Sequence, residues 1–157
     1  DSHLDLPGVR SNGEEFENDI LPFKKLNSMP AAMTAHIKYI DIDSIRPATQ
    51  SEIIISKIIR KYIGFSGIIF SDDLCMKALS GSYKNRAKES INAGCDIVLY
   101  CGYDLSEAEE VVEGAGIIKD VTNERIIKAN KWLKSTRKIQ GLSIKNIKNR
   151  LNMLIEI

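Results

Sequence analysis

No apolar run in this sequence approaches the ~20 residues of a membrane-crossing helix, so no helical span is expected. No basic start followed by an apolar stretch stands at Asp1-Ser2-His3, and no signal peptide is visible. Cysteine is scarce and odd in number. Cys75, Cys95 and Cys101 have no Cys-x-x-Cys spacing, which argues against a disulfide framework and for a reducing compartment. Cys95 and Cys101 are expected to be small core residues. The two histidines, His3 and His36, make no metal-ligand spacing with the cysteines, and no metal or cofactor is expected. Net charge is only +1, which leaves no global attraction to nucleic acid or to a membrane surface. The charge is uneven, with ten Lys/Arg against three Asp/Glu over residues 119–157. That segment lacks the run of aromatics on which nucleic-acid bases stack, so it reads as solvated helix faces.

What is present is organised around Gly64-Phe65-Ser66-Gly67-Ile68-Ile69-Phe70-Ser71-Asp72-Asp73-Leu74. The Gly-flanked apolar run Ile68-Ile69-Phe70 reads as a short strand covered on both faces, as in a parallel sheet. Asp72 and Asp73 follow where the strand should end, which is where parallel α/β folds bind ligands. One reading makes the acidic pair a site. The other has Ser71 or Asp73 merely cap the next helix. Magnesium held for phosphoryl chemistry is a third reading, but no Gly-rich phosphate loop or third acidic ligand accompanies the pair.

The 157 residues are enough for one domain with a real core. Asp1 to Gly13 reads as loop, in which Asp1 can hydrogen-bond the His3 ring and set its tautomer if the loop turns back, the other reading being an exposed polar terminus. A helix is expected from Glu14 to Leu26, kinked or broken at Pro22. Residues 31–36 read as a strand with His36 at its C-terminal end. Ser51 is the expected N-cap of a helix to about Ile63, with Ile54, Ile58, Ile59 and Tyr62 as its buried stripe. After the organising strand come a helix over 85–93 closed by Gly94, a strand over 96–101, and a helix over 105–113. Two more helices are expected, over 122–135, where Trp132 and Leu133 pack inward, and over 143–155. Strands alternating with helices imply βαβ units, a parallel sheet and right-handed crossovers.

Asp1-Ser2-His3-Leu4-Asp5-Leu6-Pro7 together with Phe70-Ser71-Asp72-Asp73-Leu74 resembles a known family. The chain is similar to the bacterial β-N-acetylglucosaminidases of glycoside hydrolase family three. The blocks at 32–36, 46–49, 64–67 and 93–96 match that family in the right order, and the likeness covers residues 1 to about 105. It implies an α/β fold that is part of a (β/α)₈ TIM-type barrel, a fold of ~250 residues when whole. This chain would supply the last three strand–helix units within 1–118 and C-terminal helices over 119–157, as a single fragment of the barrel domain.

The implied chemistry is retaining hydrolysis of terminal β-linked N-acetylglucosamine. By that resemblance Asp72 is the nucleophile, His3 the general acid/base, and Asp1 the residue that orients His3. Asp73 is a supporting residue, and Cys75 stands where a Ser is common in the family. His36 and Met33 are weaker candidates for sugar binding at the strand ends. The implied substrates are cell-wall fragments, and the implied setting is cytoplasmic peptidoglycan recycling. Two alternatives stay beside this: a catalytically inactive remnant, or one half of a two-chain enzyme. Isolated barrel strands with open edges would self-associate or pair with a complementary N-terminal barrel half.

Overall fold

The computed structural model describes residues 1–10 and 13–136. In chain order a two-residue strand β1 (Gly8–Val9) leads to helix α1 (Gly13–Lys25), β2 (Ala31–Met33) and β3 (Lys38–Tyr39). A wide-turned helix of π type (Ile53–Tyr62) precedes β4 (Ile68–Asp73), α2 (Tyr83–Ala93), β5 (Ile97–Leu99), α3 (Leu105–Ala115) and α4 (Asp120–Thr136). Strands β2, β4 and β5 form a parallel sheet in that order, each followed by a helix before its neighbour. This is the α/β arrangement of three successive strand–helix units. Separately, β1 pairs in parallel with β3, Gly8 opposite Lys38, which fastens the N-terminal loop to the chain beyond β2.

Ile69, at the centre of β4, is buried among Ile55, Ile63, Phe65, Ala93 and Cys95. Burying an Ile side chain of this kind contributes ~1.5–3 kcal/mol. A second cluster, Leu74, Leu79, Ala87 and Val111, packs α2 and α3 beneath the end of β4. Gly94 ends α2 at φ +115°, and a Cβ there would lie 2.8 Å from Ile55.

Several expectations change. The helix after Ser51 does begin at that cap, whose Oγ accepts from the Ile54 N–H. It then closes with an i→i+5 bond from the Ile63 N–H to the Ile58 carbonyl. Wider turns move the apolar face onto Ile54, Ile55, Ile58, Ile59 and Ile63, so Tyr62 lies outside it and is exposed. Helix α1 is not broken at Pro22 and runs on to Lys25, although Pro22 has no N–H to donate to the preceding turn. Helix α3 passes through Gly114, where it meets the Lys84 carbonyl of α2, and ends at Gly116. Trp132 and Leu133 are exposed on α4 rather than packed inward. Cys101 is exposed as well, because β5 ends at Leu99 and the chain leaves the core, while Cys95 is buried as expected. The helix expected over 143–155 lies outside the described residues. Among the described residues no helix is long and apolar enough to cross a membrane.

Candidate active site at the end of strand β4

The strand β4 carries both carboxylates within it, as its last two residues. Phe70 stands opposite Ile97 and Asp73 opposite Leu99, so three steps along β4 match two along β5. The extra residue is a bulge, and the Ser71 hydroxyl fills the gap by accepting from the Leu99 N–H at 2.9 Å. A bulge breaks the strict alternation of faces. Ser71 is buried, and Asp72 and Asp73 are both only half-buried although adjacent.

The two carboxylates then part company. Asp73 Oδ1 accepts from the backbone N–H groups of Cys75 and Cys101, each at 3.0 Å. Burial alone would push this carboxyl up, but those two amides and both thiols hold it below the ordinary carboxylate range. Asp73 therefore shapes the loops rather than capping a helix; the cap of α2 is Ser82. Asp72 takes one hydrogen bond among the described residues, from the Asp73 N–H at 2.9 Å. Its other oxygen is left to whatever enters the mouth of the sheet.

His36 lies just past β2 and is fully buried. Its Nε2 is 2.9 Å from the Asp73 carbonyl, which can only accept, so Nε2 carries the proton. Burial pushes its pKa below the usual value, only partly offset by the Asp73 carbonyl and the two carboxylates. The neutral ring then accepts at Nδ1 from the Thr49 hydroxyl at 2.9 Å, and Thr49 accepts from Thr34, also at 2.9 Å. This chain ties the 34–49 loop to the backbone of the residue beside Asp72. Met33, the last residue of β2, is largely exposed and lines an apolar cavity of about 390 Å³.

At the N-terminus Asp1 Oδ1 accepts from both the His3 backbone N–H and Nδ1, each at 2.9 Å. Nδ1 thereby carries a proton, and Nε2 is the nitrogen turned to other work. Both side chains are exposed. The loop is fastened to the stretch following Asp72 by the Ala78 N–H, which donates to the Ser2 carbonyl. The structure thus joins Asp1 to His3 directly and ties their loop to the segment that leaves β4. Among the described residues no group of three His, Cys, Asp or Glu side chains is placed to hold a metal ion.

Sequence reasoning missed the residues that hold this end of the sheet in place. The Asp96 side chain is 2% exposed and accepts from Arg60 (2.6 Å), Arg125 (2.5 Å), Thr122 (2.9 Å) and the Ile69 N–H (2.8 Å). Burial would raise its pKa, but the Ile69 N–H, Arg125 and Thr122 keep it lowered. Arg86 of α2 likewise donates to the carbonyls of Leu74 and Gly81, bracing the loop after β4. The available signal was charge at positions flanked by small or apolar residues, as in Ala93-Gly94-Cys95-Asp96.

Residues 1–135 match the model of the glycosyl hydrolase family 3 N-terminal domain. The β-hexosaminidase of Haemophilus influenzae (strain PittEE) is 40% identical over 134 residues, which cover 82% of this chain and 35% of the relative. The solved β-N-acetylglucosaminidase of Thermotoga maritima is 34% identical with a TM-score of 0.64, over 82% of this chain and 31% of that one. NagZ of Neisseria gonorrhoeae, solved in complex with N-trifluoroacetyl-D-glucosamine, is 38% identical with a TM-score of 0.65, over 84% of this chain and 37% of that one. The chain spans about a third to a half of the length of the curated relatives it matches. With its strand–helix order, its acidic pair at the end of β4 and a family match over most of its length, the chain belongs to glycosyl hydrolase family 3.

Proposed function

We propose that this chain carries the catalytic residues of a retaining glycosidase that releases terminal β-linked N-acetylglucosamine. The observation that carries the reading is the Asp1–His3 pair, on a loop bonded to the segment that follows Asp72. Asp72, with one oxygen unengaged among the described residues, attacks the anomeric carbon and forms a covalent glycosyl-enzyme. His3 Nε2 protonates the leaving oxygen, then takes a proton from the water that releases the sugar. Asp1 holds the ring in the tautomer this requires. The names of the β-hexosaminidase and β-N-acetylglucosaminidase relatives support the sugar assignment. Met33 is assigned to the sugar-facing wall of the mouth, and buried His36 to positioning Asp73. Cell-wall fragments as substrates, and a cytoplasmic setting in peptidoglycan recycling, belong to the same proposal.

A second reading is favoured by one observation: among the described residues β2 has an unpaired edge, beside an apolar cavity. On it the chain works only when a complementary barrel half supplies the missing wall. Hydrolysis of a chromogenic β-N-acetylglucosaminide by the chain and its Asp72→Ala variant tests both. Turnover that falls by more than ~10³-fold in the variant supports the first reading. Turnover that survives the substitution removes Asp72 from the mechanism. No turnover in either favours the second.

A further inference from the structure

Two cysteines stand at the mouth of the sheet, and the hydrolytic reading uses neither. We propose that Cys75 and Cys101 form an oxidisable dithiol site, which a low-molecular-weight disulfide converts into an intrachain bridge across the ends of β4 and β5.

The register places the pair. Asp73 stands opposite Leu99, and two residues further along each chain come Cys75 and Cys101. At the last paired residues, Asp73 and Leu99, adjacent strands run roughly 4.8 Å apart, inside the range of roughly 4.4–6.8 Å between the Cα atoms of bridged cysteines. Beyond the strand ends both backbones stay together, because their N–H groups share one acceptor, Asp73 Oδ1, at 3.0 Å each. Both thiols feel the Asp73 carboxylate, and the N–H groups of Cys101 and Gly102 act on the Cys75 thiol as well. Both thiols are free.

Access is ordered. Cys101 is exposed and Cys75 half-buried, so Cys101 meets the reagent first. Its thiolate attacks one sulfur of the small disulfide, forming a mixed disulfide and expelling one small thiolate. The Cys75 thiolate then attacks the Cys101 sulfur, closing the bridge and expelling the second. The protein loses two electrons and two protons, and the reagent leaves as two thiols. Partial desolvation and the Asp73 carboxylate hold both thiols above their ordinary pKa, so the exchange is best run in mild alkali. Cys95 is a built-in contrast. It is buried, its thiol donates to the Thr49 carbonyl at 3.6 Å, and burial pushes its pKa up to about 12.

The test is direct and does not depend on catalysis. The full chain is treated with oxidised glutathione at low protein concentration, alkylated and digested without reduction. Its helical circular dichroism is recorded throughout. Mass spectrometry should find a Cys75–Cys101 peptide pair two hydrogens lighter than the reduced peptides, with the helical signal intact. The Cys101→Ser variant should give no bridge. A lasting glutathione adduct on Cys101 beside a free Cys75 overturns the proposal. So does a bridge to Cys95, a link found only between two chains, or two free thiols after treatment that fully modifies the denatured protein.

Discussion

The two histidines show how one side chain is put to opposite uses by its surroundings. His36 is sealed in the interior with both ring nitrogens committed, so it acts through structure. Replacing it with Ala removes one hydrogen bond from the Thr49 hydroxyl, which keeps Thr34, and one from the Asp73 carbonyl, which keeps the Met76 N–H, at ~0.5–1.5 kcal/mol for each bond lost. Denaturant unfolding of His36→Ala should therefore show a loss of about 1–3 kcal/mol. The pH dependence has a definite sign. The folded pKa of His36 lies below its reference value of 6.5, so the unfolded chain takes up this proton first. Stability is whole above pH 6.5 and falls as the pH drops from there toward the lowered folded value. The wild type should lose stability in that window, and His36→Ala should lose less. His3 is exposed with only Nδ1 occupied among the described residues, and on the proposed mechanism it acts on the substrate. His3→Gln should leave unfolding nearly unchanged and lower turnover by ~10²–10⁴-fold. Its remaining activity should have a flattened pH–rate profile. A large fall in stability with unchanged turnover would reverse the assignment of the two histidines.

Strand β4 is held at its end by charge as much as by packing. Asp96 gathers donors from the π-type helix, from α4 and from β4 itself onto one buried carboxylate. Asp96→Ala should cost about 3 kcal/mol or more, since it strands Arg60 and Arg125 as partly buried, unpaired cations. Guanidinium titration would show it, and a change under 1 kcal/mol would mean that water replaces the carboxylate. The wild-type contribution is present above the reference value of 3.8 and is lost as the pH falls through the lowered folded value. That loss begins at 3.8, whereas the loss set by His36 begins at 6.5. This hub also marks what could be read from the chain. The order of strands and helices, the Ser51 and Gly94 caps and the acidic pair at the end of β4 were legible, because each rests on local pattern or turn chemistry. The bulge that separates Asp72 from Asp73 was not, because it exists only in the register between two strands. Nor was the shift of the buried stripe onto Ile55 and Ile63, which follows from wider turns rather than from the spacing of the isoleucines. The sharing of Asp96 by residues 36 positions before it and 29 after it has no local signature.

At the scale of the molecule, the described sheet ends at β2 on one side and at β5 on the other. The β2 side is the more apolar. Phe16, Ile20, Phe23, Met33, Ile58 and Phe65 line the cavity of about 390 Å³ there, and Phe23 remains 61% exposed. An unpaired edge offers a row of backbone donors and acceptors, and an apolar wall beside it adds non-directional attraction. In the absence of any other chain, the available occupant of that edge is a second copy. The 157-residue chain should therefore associate as its concentration rises, which sedimentation velocity would detect. Phe23→Glu tests the face directly, because a charge there must be desolvated for the surfaces to meet. Losing one buried Phe, at ~1.5–3 kcal/mol, should raise the association midpoint by about tenfold or more. A wild type that stays monomeric at every concentration and unfolds in one sharp transition would mean that the β2 edge is protected within the chain itself. Association that Phe23→Glu leaves untouched would move the contact away from this wall, to the β5 edge or the exposed apolar residues of α4.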